Sequence, residues 1–69
     1  MAQVECRSDS EYAQRPIAFY YRKRRFEVGS LLAEWHEPEG KAFRVMTEEM
    51  EIFDLFYDQD KDEWEVKQA

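Results

Sequence analysis

Cysteine, histidine, glycine and proline are all scarce in this chain of 69 residues, which contains one, one, two and two of them respectively. A single cysteine excludes an intrachain disulfide. Because the chain also opens without an apolar signal segment, we expect a reducing, cytoplasmic location. No apolar run approaches membrane-spanning length, so we expect no association with a membrane. We expect the free thiol of Cys6 to be a partly buried apolar group rather than a reactive one.

The few residues with metal-binding or catalytic chemistry do not form a recognisable site. Acidic residues alternate over Asp58–Asp62 as at the start of an EF-hand loop, but the glycine position of such a loop holds Glu63 and the bidentate glutamate position holds Ala69. We interpret this segment as a solvated hairpin turn, and His36 as a turn histidine at the surface. The sequence has no nucleophilic triad or phosphate-binding glycine loop. It therefore predicts a protein that is not an enzyme and holds no metal or cofactor.

Aromatic residues, at 16%, and charged residues, at 38%, are abundant. A chain this short forms one domain over 1–69, with 1–11 either loose or in part a short edge strand, and its stability depends on burying large side chains. The residues expected in the core are Phe19, Phe26, Val28, Trp35, Phe43, Val45, Phe53, Leu55 and Trp64.

The charge is unevenly distributed along the chain. The formal net charge of -6 divides into +1 over residues 1–47 and -7 over residues 48–69. The one basic spot is the run Arg22–Arg25. An acidic chain is a poor general binder of nucleic acid, because affinity for nucleic acid comes mostly from neutralising phosphates, although a local patch can still bind.

Hydrophobic alternation predicts an all-β fold. Strand-like segments lie at 17–21, 25–28, 42–47, 51–57 and 63–67. Pro16 fits the first residue of the first strand, and the continuous apolar run after it predicts burial on both faces. About five short strands with short connections predict a small curled antiparallel meander that forms a partly open barrel.

The segment 30–37 fits two structures. Ser30 is a suitable cap for a short helix. Alternatively, Gly29 is a bulge in one long bent strand that ends at Trp35. We favour the bulged strand because the helix would have barely two turns.

The segment 48–57 is also ambiguous. Thr47 is a suitable helix cap, and early glutamates suit a helix N-terminus. The aromatic alternation later in the segment favours a turn at 48–50 followed by a strand at 51–57. If either 30–37 or 48–57 were helical, the fold would be α+β with short helices.

The basic run predicts the tip of a β-hairpin and a candidate binding surface. Its residues are Tyr20, Arg22, Lys23, Arg24 and Arg25. Cations beside aromatic rings are typical of surfaces that bind single-stranded nucleic acid, where the rings stack on bases. A solvated tip that protects a sheet edge is the simpler interpretation.

A second surface follows from the alternation of strand side chains. If Phe53 faces the core, then Tyr20, Ile52 and Phe56 face the other way. Exposed apolar patches of this kind often mark interfaces, so we expect a protein partner or a second copy of the chain, as a homodimer, to cover it.

A scattered aromatic pattern gives the chain a family resemblance. The residues that carry it are Tyr12, Arg15-Pro16, Phe19, Phe26, Val28, Trp35, Glu37, Phe43-Arg44-Val45, Thr47, Phe53, Leu55, Tyr57 and Trp64. With these residues the chain resembles small bacterial proteins of unknown function. A similar domain is appended to some Y-family polymerase-like proteins of translesion repair. The resemblance implies a fold more than a function. The family tends to place glycine in its hairpin turns, and Arg24 and Met50 occupy the corresponding positions here.

These observations predict a non-enzymatic interaction module. It would bind a protein partner or serve as an accessory to a nucleic-acid-processing complex. The alternative is direct binding of single-stranded nucleic acid through Arg22–Arg25 and the adjacent aromatic residues. Salt dependence separates the two, because phosphate binding weakens steeply as salt rises.

Overall fold

Six antiparallel strands in sequence order form a curled half-barrel in the computed structural model, which describes residues 3–9 and 12–69. The strands are β1 (Val4–Asp9), β2 (Tyr12–Tyr21), β3 (Arg24–Glu37), β4 (Gly40–Thr47), β5 (Ile52–Asp58) and β6 (Glu63–Gln68). The predicted all-β meander is confirmed. There are six strands rather than five because the chain near Val4 and Cys6 pairs with β2 as an edge strand.

The helical alternatives are wrong for both ambiguous segments. Residues 30–37 belong to β3, and 48–57 comprises a turn followed by β5, so no helix occurs within the described residues. The hydroxyl of Thr47 accepts hydrogen bonds from the backbone N–H of Glu49 and of Glu51, at 3.2 and 3.1 Å. It stabilises the turn between β4 and β5, where a helix cap was the alternative.

Strand β3 is long and bent, and it joins two parts of the sheet. It pairs with β2 only through Arg24–Glu27 and with β4 from Val28 onward. The register shifts between Val28 and Ser30, which confirms the predicted bulge at Gly29. A bulge increases the local twist, and here it bends the sheet into a half-barrel. The strand ends at Glu37, two residues beyond the predicted end.

Two predicted details of the hairpins need correction. Pro16 is not the first residue of its strand but lies inside β2, opposite Cys6 and beside a register shift in β1, where the ladder is already irregular. The first hairpin turns at Arg22 and Lys23, whose φ angles are 52° and 66°, so Arg24 is the first residue of β3 rather than the turn residue. Met50 does occupy a left-handed turn position, with φ of 66°.

The core lies on one face of the sheet, which we call the inner face. Its buried cluster is Phe19, Phe26, Phe43, Val45, Phe53 and Leu55, with Val4, Tyr21, Val28, Trp64 and Val66 partly buried against it. The ring of Phe53 is central, with centroids of Phe19, Phe26 and Tyr21 at 4.9, 5.1 and 5.2 Å. Val28 and Trp64 therefore lie at the margin of the core rather than within it.

Trp35 was expected in the core, and this prediction is wrong. The side chain is 36% exposed and lies on the opposite, outer face, directly across from Ala42. A single bulge at Gly29 would have turned Trp35 inward. A second register shift between Leu31 and Ala33 reverses the alternation again and returns Trp35 to the outer face.

The first apolar run is also more exposed than predicted. Ala18 and Phe19 are fully buried, whereas Ile17 and Tyr20 are 45% and 36% exposed. N-terminal to Ala18, β2 pairs with β1 but no longer with β3, so Ile17 has a neighbouring strand on one side only. The predicted outward direction of Tyr20 and Ile52 is observed, and Phe56 is half-buried on the same outer face.

Candidate binding surface

The basic hairpin tip is divided between the two faces of the sheet. Tyr20 lies opposite Arg25, and Tyr21 lies opposite Arg24 in the next pair of the β2–β3 ladder. Adjacent pairs point to opposite faces. The guanidinium of Arg24 lies over the core ring of Phe26, at 4.8 Å from its centroid, so this pair faces inward. Tyr20 and Arg25 therefore share the outer face, whereas Arg24 faces inward with Tyr21.

Carboxylates already neutralise two cations of the tip. Arg25 donates two hydrogen bonds of 3.0 Å to Glu5 on β1 and one of 3.3 Å to Glu27. These bonds lower the pKa of the Glu5 carboxyl and raise the pKa of the Arg25 guanidinium. Arg24 forms an ion pair with Glu49. A phosphate would have to displace these carboxylates. This competition reduces the contribution of Arg24 and Arg25 to the affinity for a nucleic acid.

On the inner side of the tip, a depression of about 260 Å³ adjoins Arg22 and Arg24. It is lined by Tyr21, Arg22, Arg24, Phe26, Glu51, Phe53 and Gln68. The Arg22 guanidinium lies 5.3 Å from the centroid of the Tyr21 ring. The depression thus combines cations and rings with the carboxylate of Glu51, and its walls include residues of the core.

The outer face contains the larger depression, a notch between two aromatic side chains. Trp35 on β3, Ala42 on β4 and Phe56 on β5 are consecutive partners across the sheet. Ala42 is 5% exposed, and its methyl group is far smaller than its neighbours, so it forms the floor between two aromatic walls. The resulting cavity has a volume of about 350 Å³. Its lining residues are Trp35, Glu37, Pro38, Glu39, Ala42, Asp54, Leu55, Phe56, Glu65 and Lys67.

Trp35 is held in place from two directions. Its indole Nε1–H donates a hydrogen bond of 3.0 Å to Glu37 Oε2. The guanidinium of Arg44 lies 5.9 Å from the centre of its ring. Arg44 in turn donates two hydrogen bonds to Asp54, at 2.8 and 3.0 Å. This bidentate pair raises the pKa of Arg44 and lowers the pKa of Asp54. The aromatic wall of the notch is therefore oriented before any ligand arrives.

The rim of the notch is acidic. Four of its lining residues are carboxylates, and one, Lys67, is a cation. Asp54 is compensated by Arg44, and Lys67 also lowers its pKa. Glu37 is bonded to a neutral indole, so that contact does not cancel its charge. The negative charge of the rim is carried by Glu37, Glu39 and Glu65.

The second tryptophan lies on the other face. Trp64 packs against Tyr57 and Phe43, with ring centroids 5.1 and 5.9 Å apart. Beside them, Lys41 forms an ion pair of 3.5 Å with Glu34. The two tryptophans of the chain therefore lie on opposite faces of the sheet, so the signals of their indoles distinguish ligands bound to the two faces.

The residues considered for metal or thiol chemistry occupy structural positions. Asp58 Oδ1 accepts hydrogen bonds from the backbone N–H of Asp60 and of Lys61, at 3.0 and 3.1 Å, as in an Asx turn. Asp62 accepts the hydroxyl of Tyr57, which raises the pKa of that phenol. Among the described residues, no three His, Cys, Asp or Glu side chains are grouped to hold a metal ion.

Cys6 and His36 lie in different strands of the meander. Cys6 is half-buried on β1 opposite Pro16, and burial raises the pKa of its thiol. His36 lies opposite Lys41 in the β3–β4 hairpin, as a strand residue rather than a turn residue.

The chain was compared with protein-family models, with curated proteins and with solved structures, and none of them matches it. The resemblance to a domain appended to translesion polymerase-like proteins therefore stays a prediction. Within the part of the chain that the structure describes, no helix is long and apolar enough to span a bilayer.

Proposed function

We propose that this chain is a non-enzymatic interaction module of the cytosol, which binds an exposed segment of a partner protein through the notch of its outer face. The observation that carries the proposal is the row Trp35–Ala42–Phe56, in which two aromatic walls flank a small floor. Tryptophan in a pocket is typical of the residues that dominate binding energy at protein interfaces.

Exposed apolar groups elsewhere on the outer face also support a protein partner. Ile52, on the outer side of β5, is 39% exposed, and Tyr20 on β2 is 36% exposed. The outer face of a half-barrel has no second layer within the described sheet, so these apolar groups meet solvent until something covers them. Because the notch is shaped by backbone pairing across three strands, it is available without rearrangement.

A second copy of the chain fits the notch less well than a different protein does. A symmetric dimer brings the same patch of both copies together. That would place the acidic rims of two notches, with Glu37, Glu39 and Glu65 on each, against one another. Like charges across an interface cost several kcal/mol. We therefore favour a partner of complementary charge over the homodimer.

Direct binding of single-stranded nucleic acid has less support. Arg24 and Arg25 are engaged by Glu49 and by Glu5 with Glu27, and the basic tip is split across two faces. A role in a nucleic-acid-processing complex is compatible with the proposal if the contact is made through a protein component of that complex.

Selection of random displayed peptides against the immobilised protein tests the proposal. We expect the enriched peptides to lose about tenfold or more in affinity for the Trp35→Gln variant, as for loss of an interface tryptophan. The matched control is Leu32→Gln, which makes an apolar-to-polar change on the same strand outside the notch. It should leave the affinity within about twofold, since scattered exposed apolar groups contribute little.

Two further measurements separate the alternatives. Fluorescence anisotropy of a labelled oligothymidylate should show no salt-sensitive binding, and sedimentation at rising concentration should show a monomer. Enriched peptides that are indifferent to Trp35→Gln would overturn the proposal. So would tight oligothymidylate binding that weakens steeply with salt.

A further inference from the structure

We propose that the notch binds the cationic side chain of a lysine or arginine in the partner segment, seated over Ala42 between the rings of Trp35 and Phe56. This inference rests on the proposed function and specifies what the site recognises. Two aromatic faces attract a cation through their quadrupoles, most strongly when a tryptophan is one of them. A buried alanine between the rings provides the space for the head of such a side chain.

The chain itself shows that the indole accepts a cation. Arg44 lies 5.9 Å from the centre of the Trp35 ring. Arg44 is paired with Ala33 and Asp54, one row along the sheet from the notch floor at Ala42. The turn residues Pro38 and Glu39 line the other side of the notch. An incoming cation that enters beside this turn therefore enters at the end of the notch away from Arg44.

The rim charges select a cation over a neutral side chain. Asp54 is committed to Arg44, so Glu37, Glu39 and Glu65 are the carboxylates that an ammonium or guanidinium would meet. Their negative charges lie around a partly apolar hollow, where the field of a fixed charge is screened less than in bulk water. Lys67, at the far side of the lining, opposes binding there and directs the cation toward Glu37 and Glu39.

NMR titration of the wild-type protein with N-acetyl-arginine amide and N-acetyl-lysine amide tests the inference. The readout is the pair of indole N–H resonances, assigned with a Trp35→Phe variant. We expect the Trp35 resonance to shift on titration while that of Trp64, on the inner face, stays in place. The neutral isostere N-acetyl-citrulline amide should leave both resonances unshifted.

A charge-reversal pair supplies the matched control. Glu39→Lys changes the rim, and Glu48→Lys makes the same change in the exposed turn beyond the other end of β4. Glu39→Lys should weaken the binding of the arginine probe about threefold or more, the scale of one exposed charge contact, and Glu48→Lys should leave it unchanged. Melting temperatures confirm that both variants are folded.

Three results would overturn the inference. These are equal shifts of the two indole resonances, a citrulline probe that binds as well as the arginine probe, and equal weakening by the two charge reversals. These results differ from failure of the proposed function. If displayed peptides bind at Trp35 but contain no lysine or arginine, the proposed interaction module is supported and the cation site is refuted. If no peptide binds at Trp35, the proposed function is refuted.

Discussion

Truncation of Phe53 to alanine removes the side chain around which the core is assembled. Phe53 is 1% exposed, and its ring lies within 4.9–5.2 Å of the ring centroids of Phe19, Phe26 and Tyr21. The substitution leaves a cavity surrounded by rings of β2 and β3. Loss of a buried phenylalanine costs about 3–5 kcal/mol.

That loss is large relative to the whole stability of so short a domain. At the usual range per residue, 69 residues correspond to roughly 3–10 kcal/mol of unfolding free energy. In a domain of 60–100 residues each kcal/mol lowers the melting temperature by about 4–8 °C. We therefore expect Phe53→Ala to melt at least about 12 °C below wild type, or to be unfolded at room temperature.

Thermal and urea unfolding followed by circular dichroism measure the effect. The control is Ile52→Ala on the same strand, because Ile52 faces outward and is 39% exposed. Its cost should be about 1 kcal/mol or less, as at other partly exposed positions. If Phe53→Ala melts within a few degrees of wild type, or if Ile52→Ala costs as much, the assignment of inner and outer faces is wrong.

Four further substitutions test turns and charges. A Cβ at Gly40 would lie 1.8 Å from the carbonyl oxygen of Tyr57, whereas a Cβ at Gly29 would lie 3.4 Å from the nearest atoms. Gly40→Ala should therefore lower the unfolding free energy by about 3 kcal/mol. Gly29→Ala should lower it by less than about 1 kcal/mol. Lys23→Gly should raise the unfolding free energy by about 1 kcal/mol, because the φ angle of Lys23 is 66°. An unchanged midpoint of urea unfolding would contradict the positive φ at this turn. The hydrogen bonds from Arg44 lower the pKa of Asp54 below its ordinary 3.8. The ionised carboxylate therefore stabilises the folded state at neutral pH. This stabilisation is lost as the pH falls through the pKa that Asp54 has in the folded protein. Asp54→Asn should then be less stable than wild type by up to about 1 kcal/mol at pH 7, with the gap closing in acid; a gap that does not change with pH would exclude the ion pair as its cause.

The strands were predictable because their signal is local. Alternation over segments such as 42–47 and 51–57 depends only on neighbouring residues, and the observed strands β4 and β5 cover them closely. The bulge at Gly29 was also predictable, because glycine interrupts an alternating run. The helical alternatives were wrong because, of the two caps that suggested them, Thr47 stabilises the β4–β5 turn and Ser30 pairs with Met46 inside β3.

The face of Trp35 was not predictable from the sequence. It depends on the register shift at Leu32, where no glycine or proline marks a bulge. The first hairpin likewise turns at Arg22 and Lys23 without a residue that favours positive φ. Local propensity disfavours such positions, and the pairing of the flanking strands overrides it.

The candidate site depends on residues distant in the sequence. Trp35, Ala42 and Phe56 become neighbours only through the registers of two hairpins, and an error of one residue in either would separate them. The basic run was visible as a cluster in the sequence, but its ion pairs with Glu5 and Glu49 join residues 20 and 25 positions apart. The polar neighbours of Trp35 in the sequence, Glu34 and His36, gave the opposite signal, because an apolar residue between polar ones is typical of an inward-facing strand position.

Intermolecular NOEs between the wild-type protein and the tightest-binding selected peptide locate the bound peptide on the sheet. We expect NOEs from the peptide to the indole of Trp35, the methyl group of Ala42 and the ring of Phe56, with none to Trp64. NOEs confined to Tyr21, to Trp64 or to other groups of the inner face would contradict the proposed binding at the notch.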